Sequence, residues 1–227
     1  MVDASKILKS YDTDGYYKLI LQIVQLYSAS GRTANAASMS KDAAEKAEED
    51  FDYERAATMF DQAAQMYEMD SNDIQVNQMR NKWADITILS KPADQLDFKK
   101  IIKCYEKIGY KYLTQGAIRG MAKDYFLKAG LCYLANEDLI GLKAALENYS
   151  LEDPTFDNDR KKKFLVVIMN ACEGQDRDTF AITMQGYQKI TPMDKVCTKL
   201  AVKIKMSYCP EDPTALDVVD KPVNFVD

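Results

Sequence analysis

From Tyr16 onward, large apolar residues in this 227-residue chain recur at steps of three and four, the spacing that lines one face of a helix. The clearest unit runs from Ala117 to Tyr149. Ala122, Tyr125, Phe126, Ala129 and Tyr133 share a face of a helix predicted to end near Ala135. Leu139, Leu142, Leu146 and Tyr149 share a face of the next, and Asn136-Glu137-Asp138 forms the turn between them, with Asp138 as N-cap. The two make a helical hairpin. Its alanines and Gly130 are small enough for helices to approach closely, while the aromatics fill the space above them.

The remainder repeats this theme. A short amphipathic start at Ala4 to Tyr11 precedes a helix carrying Tyr16, Leu19, Ile23 and Leu26, capped by Asp14 and ended by Gly31. Residues 33–48 are alanine-rich and must pack closely or lie near one end. Tyr53, Ala56, Phe60 and Ala63 mark the next helix, and Asp70-Ser71-Asn72 breaks it ahead of a helix from Ile74 to Leu89. Pro92 interrupts, Phe98, Ile101, Tyr105 and Ile108 restate the stripe, and Gly116 closes the segment. Beyond Pro154 come helices at Lys161 to Cys172, at Thr179 to Ile190 (Phe180, Thr183, Tyr187, Ile190) and at Met193 to Tyr208. Past Cys209 the period is lost.

Aligning the stripes on Tyr16, Tyr53, Phe98, Leu139 and Phe180 gives intervals of 37, 45, 41 and 41 residues. Two-helix repeats of roughly 34 to 47 residues belong to the tetratricopeptide (TPR), HEAT and armadillo solenoids. Ala56, Phe60 and Ala63 stand where a TPR second helix places its Ala, Phe and Ala. The expected fold is therefore all-α: a TPR-like right-handed solenoid of antiparallel helical hairpins ending in a small C-terminal helical bundle. An ordinary bundle of equal helices is the alternative. Repeats are expected over 1–150, a bundle packed on them over 151–208, and a flexible acidic tail over 209–227.

Composition narrows the chemistry. A net charge of −5 and a pI near 5.0 argue against a general nucleic-acid binder, which needs a basic excess to neutralise phosphates. There is no histidine, so His-based triads, Cys-His dyads and nearly all zinc sites are excluded. Nine glycines include no dinucleotide or nucleoside-triphosphate loop. The longest apolar run, Phe164 to Met169, is too short to span a bilayer, and the amino end shows no signal peptide, which leads to the expectation of a cytoplasmic protein. Five scattered cysteines read as buried thiols. No catalytic residues, cofactor or metal are expected; binding is. Lys99, Lys103 and Lys107, flanked by Lys100 and Lys111, form a basic ridge, and Arg160 to Lys163 form a second basic stretch at a helix start, where the dipole opposes cations. Both suit an acidic partner, although either could be a solubilising face.

The carboxy-terminal two-thirds resembles a known family. AKDYFLKAGLCYL at Ala122 to Leu134, DPTFDNDRKKK at Asp153 to Lys163 and YEKIG at Tyr105 to Gly109 are similar, in order and separation, to blocks of the soluble NSF attachment proteins (SNAPs) of the alpha/beta type. Gly31-Arg32 before a run of alanines fits the same family. The resemblance implies a non-enzymatic adaptor, peripherally associated with membranes, that lays its concave face along a SNARE bundle and recruits the hexameric ATPase NSF for its disassembly in vesicle fusion and protein transport. It implies SNARE contacts at Arg32, Lys82 and Arg119, to which the ridge adds Lys99 and Lys103. On the NSF side it implies Glu137, Asp138 and Glu173, with Leu216 or Val226 as the apolar contact of the tail. Asn170 and Gly174 stand where the family has two further acids, and Gly120 replaces an expected aromatic. The family's first hairpins, with their membrane-touching loop, have no counterpart. Other readings are a generic helical-repeat scaffold, or a shortened SNAP acting as competitor or regulator.

Overall fold

A computed structural model describes residues 12–208, and the expectations for Ala4 to Tyr11 and for the tail from Cys209 lie outside them. Ten α-helices and three short 3₁₀ turns make up the described residues, with no strand among them: α1 (Thr13–Ala29), α2 (Thr33–Glu49), α3 (Tyr53–Met69), α4 (Asp73–Ser90), α5 (Phe98–Leu113), α6 (Ala122–Ala135), α7 (Leu139–Glu152), α8 (Arg160–Glu173), α9 (Arg177–Ile190) and α10 (Lys195–Tyr208). The fold is all-α and built of TPR-like helical hairpins. The chain divides into two compact units, one up to Ala129 and one from Gly130, with the division inside α6.

One loop design recurs five times. In Ser30-Gly31-Arg32, Asp50-Phe51-Asp52, Asp70-Ser71-Asn72, Asn136-Glu137-Asp138 and Gly174-Gln175-Asp176, the middle residue holds a positive φ between 52° and 71°. The third residue returns its N–H to the carbonyl five positions back, as Asp52 does to Ala47 at 2.9 Å and Asp138 to Tyr133 at 3.0 Å. This satisfies the carbonyls a helix leaves open at its end. In all five loops that same third residue is the N-cap of the next helix. Asp52, Asn72, Asp138 and Asp176 each accept an N–H from the first turn through the side chain, whereas Arg32 makes no side-chain cap. A loop of three residues that both stops and starts a helix forces neighbours to run antiparallel.

In unit 1 the alanines of α2 settle how that helix packs. Ala36, Ala37, Ala43, Ala44 and Ala47 are fully buried, and α2 lies close against both α1 and α3. Tyr16, Ile20, Phe60, Ala63 and Met79 fill the seams, and Trp83 is half-buried beside them. The helices form two rows, because ion pairs join each helix to the next but one. Asp14 of α1 pairs with Arg55 of α3 at 3.1 Å, and Glu68 of α3 pairs with Lys107 of α5 at 3.2 Å. In the other row Glu48 of α2 pairs with Lys82 of α4 at 2.9 Å, and Asp85 of α4 pairs with Lys128 of α6 at 2.8 Å. In unit 2, Gly130 of α6 faces Leu165 of α8, Phe164 packs on Tyr187 with ring centroids 4.2 Å apart, and Tyr149 meets Phe156 edge-on at 6.1 Å.

Two expected stripe positions are exposed. Leu26 and Ile190 are 56% and 64% exposed. Each is the tenth residue after its stripe's first member, and at 100° per residue ten steps fall about 80° short of three full turns, which carries the side chain off the buried face. In α1 that face is made instead by Tyr16, Tyr17, Ile20, Ile23 and Val24. Gly116 does not end a helix; α5 stops at Leu113, and Gly116 opens the 3₁₀ stretch Gly116–Met121.

Candidate functional site

Unit 1 carries the expected cations, in three settings. Arg32 sits in the α1–α2 loop, exposed, with no ion-pair partner among the described residues, and its N–H closes the loop on the Tyr27 carbonyl at 2.8 Å. Arg119, also exposed, lies in the 3₁₀ stretch after α5. The antiparallel order puts both at one end of the unit, and side chains bridge the distance between them: Thr33 donates to Asp70 in the α3–α4 loop, and Lys111 reaches Asp73 at 2.6 Å. Lys82 is elsewhere, in the middle of α4, where both carboxylate oxygens of Glu48 accept from it at 2.9 and 3.0 Å.

The α5 ridge is half spent. Lys107 and Lys111 are tied to Glu68 and Asp73, and Lys100 lies over the Trp83 ring, 4.6 Å from its centroid. Lys99 and Lys103 are exposed and have no partner among the described residues. Five expected contacts therefore spread over one end and both rows of unit 1, and three of the five charges (Arg32, Lys99 and Lys103) are free of ion pairs among the described residues. Lys107 and Arg80 hold the Glu68 carboxyl below the usual carboxylate range.

Unit 2 gathers the expected acids more tightly. Glu137 and Asp138 are in the α6–α7 loop, and Glu173 ends α8. Lys203 of α10 approaches Glu137 at 3.8 Å, and Tyr208, where α10 ends, lies within electrostatic reach of Glu137, Asp138 and Cys172; burial first, and these neighbours after it, push its hydroxyl up to about 12. The end of α10 therefore closes on the loop and on the end of α8, which brings the three acids to one end of the unit. They are not equivalent. Glu137 and Glu173 are exposed, whereas the Asp138 carboxylate accepts the Gly141 N–H at 2.7 Å and is committed to capping α7. Leu216 and Val226 lie outside the described residues.

In the second basic stretch, Lys162 donates to Asp157 at 2.5 Å and Ser150 at 2.7 Å, and Arg160 donates to Thr191 at 3.2 Å, so this stretch serves the packing of unit 2. Cys104, Cys132, Cys172 and Cys197 are buried free thiols, and burial pushes Cys104 up to about 12. Among the described residues no group of three or more Cys, Asp or Glu is placed to hold a metal ion, and no helix is long and apolar enough to cross a membrane. Sequence reasoning missed the row-bridging ion pairs. Their signal was present: Asp14–Arg55, Glu48–Lys82, Glu68–Lys107 and Asp85–Lys128 join opposite charges 41, 34, 39 and 43 positions apart, close to one repeat.

Antiparallel hairpins tied by ion pairs and stopped and started by capped three-residue loops define a TPR-like helical-repeat protein. The family is also clear. The model of the soluble NSF attachment protein family, SNAP, matches residues 1–208, and the chain belongs to that family. It is 27% identical over 209 residues to a probable vesicular-fusion protein sec17 homolog of Neurospora crassa, a match that covers 92% of this chain and 70% of the relative. The alpha-soluble NSF attachment proteins of Vitis vinifera and Homo sapiens are 28% and 27% identical over 204 and 205 residues, covering 89% and 90% of this chain and 68% of each relative. The family is one of non-enzymatic adaptors, and the chain is not an enzyme.

Proposed function

We propose that the chain is a SNAP-type adaptor that binds assembled SNARE complexes and recruits an NSF-type hexameric ATPase for their disassembly, in vesicle fusion and intracellular protein transport. The observation that carries this is the family match over residues 1–208. The arrangement of charge supports a division of labour. Unit 1 offers Arg32, Arg119, Lys82, Lys99 and Lys103 to the acidic surface of a SNARE bundle, while Glu137 and Glu173 of unit 2, with Leu216 or Val226 of the tail, engage the ATPase. Asp138 acts through the loop it caps. The protein works in the cytoplasm and meets membranes peripherally, through the SNAREs it holds.

The test is retention of SNARE complexes on immobilised protein. Arg32→Glu with Arg119→Glu should weaken it, and wild-type retention should fall with salt, since the screening length shortens to about 8 Å at physiological ionic strength. Lys82 needs a control, because Lys82→Glu also sets a like charge against Glu48. The charge swap Lys82→Glu with Glu48→Lys restores the pair, so a loss that persists in the swap is a loss of contact. Unchanged retention in all three variants would refute the site. Deleting 210–227 should spare SNARE retention and reduce ATPase recruitment; equal recruitment would remove the tail from the mechanism.

A further inference from the structure

The link between α4 and α5 runs over residues 91–97, longer than the three-residue loops before it. It holds the start of α5 away from α3, while further along the Lys107–Glu68 pair draws the two together. Between them opens a cleft of about 630 Å³. Glu54 and Asp61 of α3, Trp83 of α4, Lys91 and Asp97 of the link and Lys100 of α5 are among the residues that line it. None of these residues was singled out as a SNARE or ATPase contact.

Its charges are unequally satisfied. Lys100 is laid over the Trp83 indole, and Asp97 on the rim caps α5 by accepting the Lys100 N–H at 3.0 Å. Glu54 is exposed and has no ion pair among the described residues, and Asp61 accepts only from the Gln65 amide at 3.0 Å. Two carboxylates without cations thus flank an aromatic face that already attracts one. They are seven residues apart on a helix, about 10 Å along its axis. Three residues before Glu54, Phe51 is 76% exposed with a positive φ of 60°, a conformation that bulky residues rarely keep, and Tyr53 packs edge-on against its ring.

We propose that this cleft is a docking site for a basic amphipathic helix of a partner protein, with Glu54 and Asp61 as its contacts rather than the cations offered to acidic SNARE bundles. Arginines or lysines at i and i+7 of the partner meet Glu54 and Asp61, the same 10 Å step, and a large apolar residue at i+4 enters over Trp83 and displaces Lys100 from its ring. The sign of the charge sets the two surfaces apart: a basic helix is repelled from the Arg32 and Arg119 end of the unit. The inference does not depend on the adaptor reading.

Trp83 is the sole tryptophan, so its emission reports the cleft directly. The probes are a synthetic helical peptide of about 15 residues with Arg at i and i+7 and Leu at i+4, and its twin with citrulline in place of Arg, which keeps the shape and removes the charge. The Arg peptide should shift Trp83 emission saturably, and the citrulline peptide should bind about 10-fold more weakly. Glu54→Gln and Asp61→Asn should each weaken the Arg peptide about 2- to 5-fold, the range of exposed ion pairs, and Lys100→Met should tighten it. Equal affinity of the two peptides, the absence of any saturable shift, or full affinity in the Glu54→Gln/Asp61→Asn double variant would each overturn the proposal.

Discussion

Gly130→Ala and Gly186→Ala are the same chemical change on two helices, and the structure assigns them opposite signs. A Cβ at Gly130 would lie 2.6 Å from Leu165 Cδ1 and 2.8 Å from Cδ2, whereas one at Gly186 of α9 would meet nothing within 4 Å. Carbon atoms rest about 3.5–4.0 Å apart, so Leu165 or its helix must retreat by about 1 Å. The clash is with the end of a side chain that can turn, but Leu165 is fully buried and its neighbourhood is filled. Overpacking of this kind costs about 1–3 kcal/mol. Exchanging Gly for Ala inside a helix returns about 1 kcal/mol at either site. Gly186→Ala should therefore stabilise by about 1 kcal/mol and Gly130→Ala destabilise by about 0–2 kcal/mol. The propensity gain cancels in the comparison, which leaves a gap of about 1–3 kcal/mol. Urea unfolding followed by far-UV circular dichroism measures it, since backbone signal reports helices in both units. Trimming Leu165 to Val in the Gly130→Ala background should recover part of the loss through a favourable coupling. If Gly130→Ala stabilises as much as Gly186→Ala, α6 and α8 do not approach as described.

Leu146, 3% exposed in α7, should cost about 2–5 kcal/mol when cut to Ala, and a cost below about 1 kcal/mol would place it outside a packed seam. Asp138→Ala should cost about 1 kcal/mol through loss of its bond to the Gly141 N–H, whereas Glu137→Ala, whose side chain makes only the 3.8 Å approach to Lys203, should cost less than half of that in the same unfolding assay. Glu68 titrates below its ordinary value of 4.5, held there by Lys107 and then Arg80. A depressed acid contributes its stability in full above about pH 4.5 and loses it as pH falls through the folded value. The stability gap between wild type and Glu68→Gln should thus shrink from pH 7 to pH 3, and a constant gap would contradict the pairing.

Which parts of this could be read from sequence follows from how far each interaction reaches along the chain. Helices and loops were legible because their determinants are local: Asp138 caps three residues ahead, and the apolar stripe at Phe98, Ile101, Tyr105 and Ile108 is buried throughout. Leu26 and Ile190 misled because a three-four-three stripe drifts around the helix, so its tenth member is buried only where a neighbour covers that side, as happens for Ile108 and Tyr149. The role of Gly130 was half legible. Its smallness announced a close approach, but the partner is Leu165, 35 residues on, rather than its own hairpin. The candidate site was legible as charge and not as availability. Nothing within a helical turn of Lys82 or Lys107 shows that each is paired one repeat away, or that Lys99 and Lys103 are not. The cleft at Trp83 was hidden for the same reason: its walls come from three helices, and the 45-residue interval between Tyr53 and Phe98 was its only trace.

The central claim is that this chain couples SNARE complexes to an NSF-type ATPase, and one reconstitution addresses it. Fluorescently labelled SNARE complexes are incubated with the ATPase and ATP, with and without the chain, and disassembly is followed by loss of energy transfer between SNAREs. The account predicts ATP-dependent disassembly that requires the chain. It also predicts that Glu137→Lys with Glu173→Lys abolishes this disassembly while SNARE retention persists. A rate no greater than that of the ATPase alone, or slowing when the chain is added beside a full-length adaptor, would contradict it.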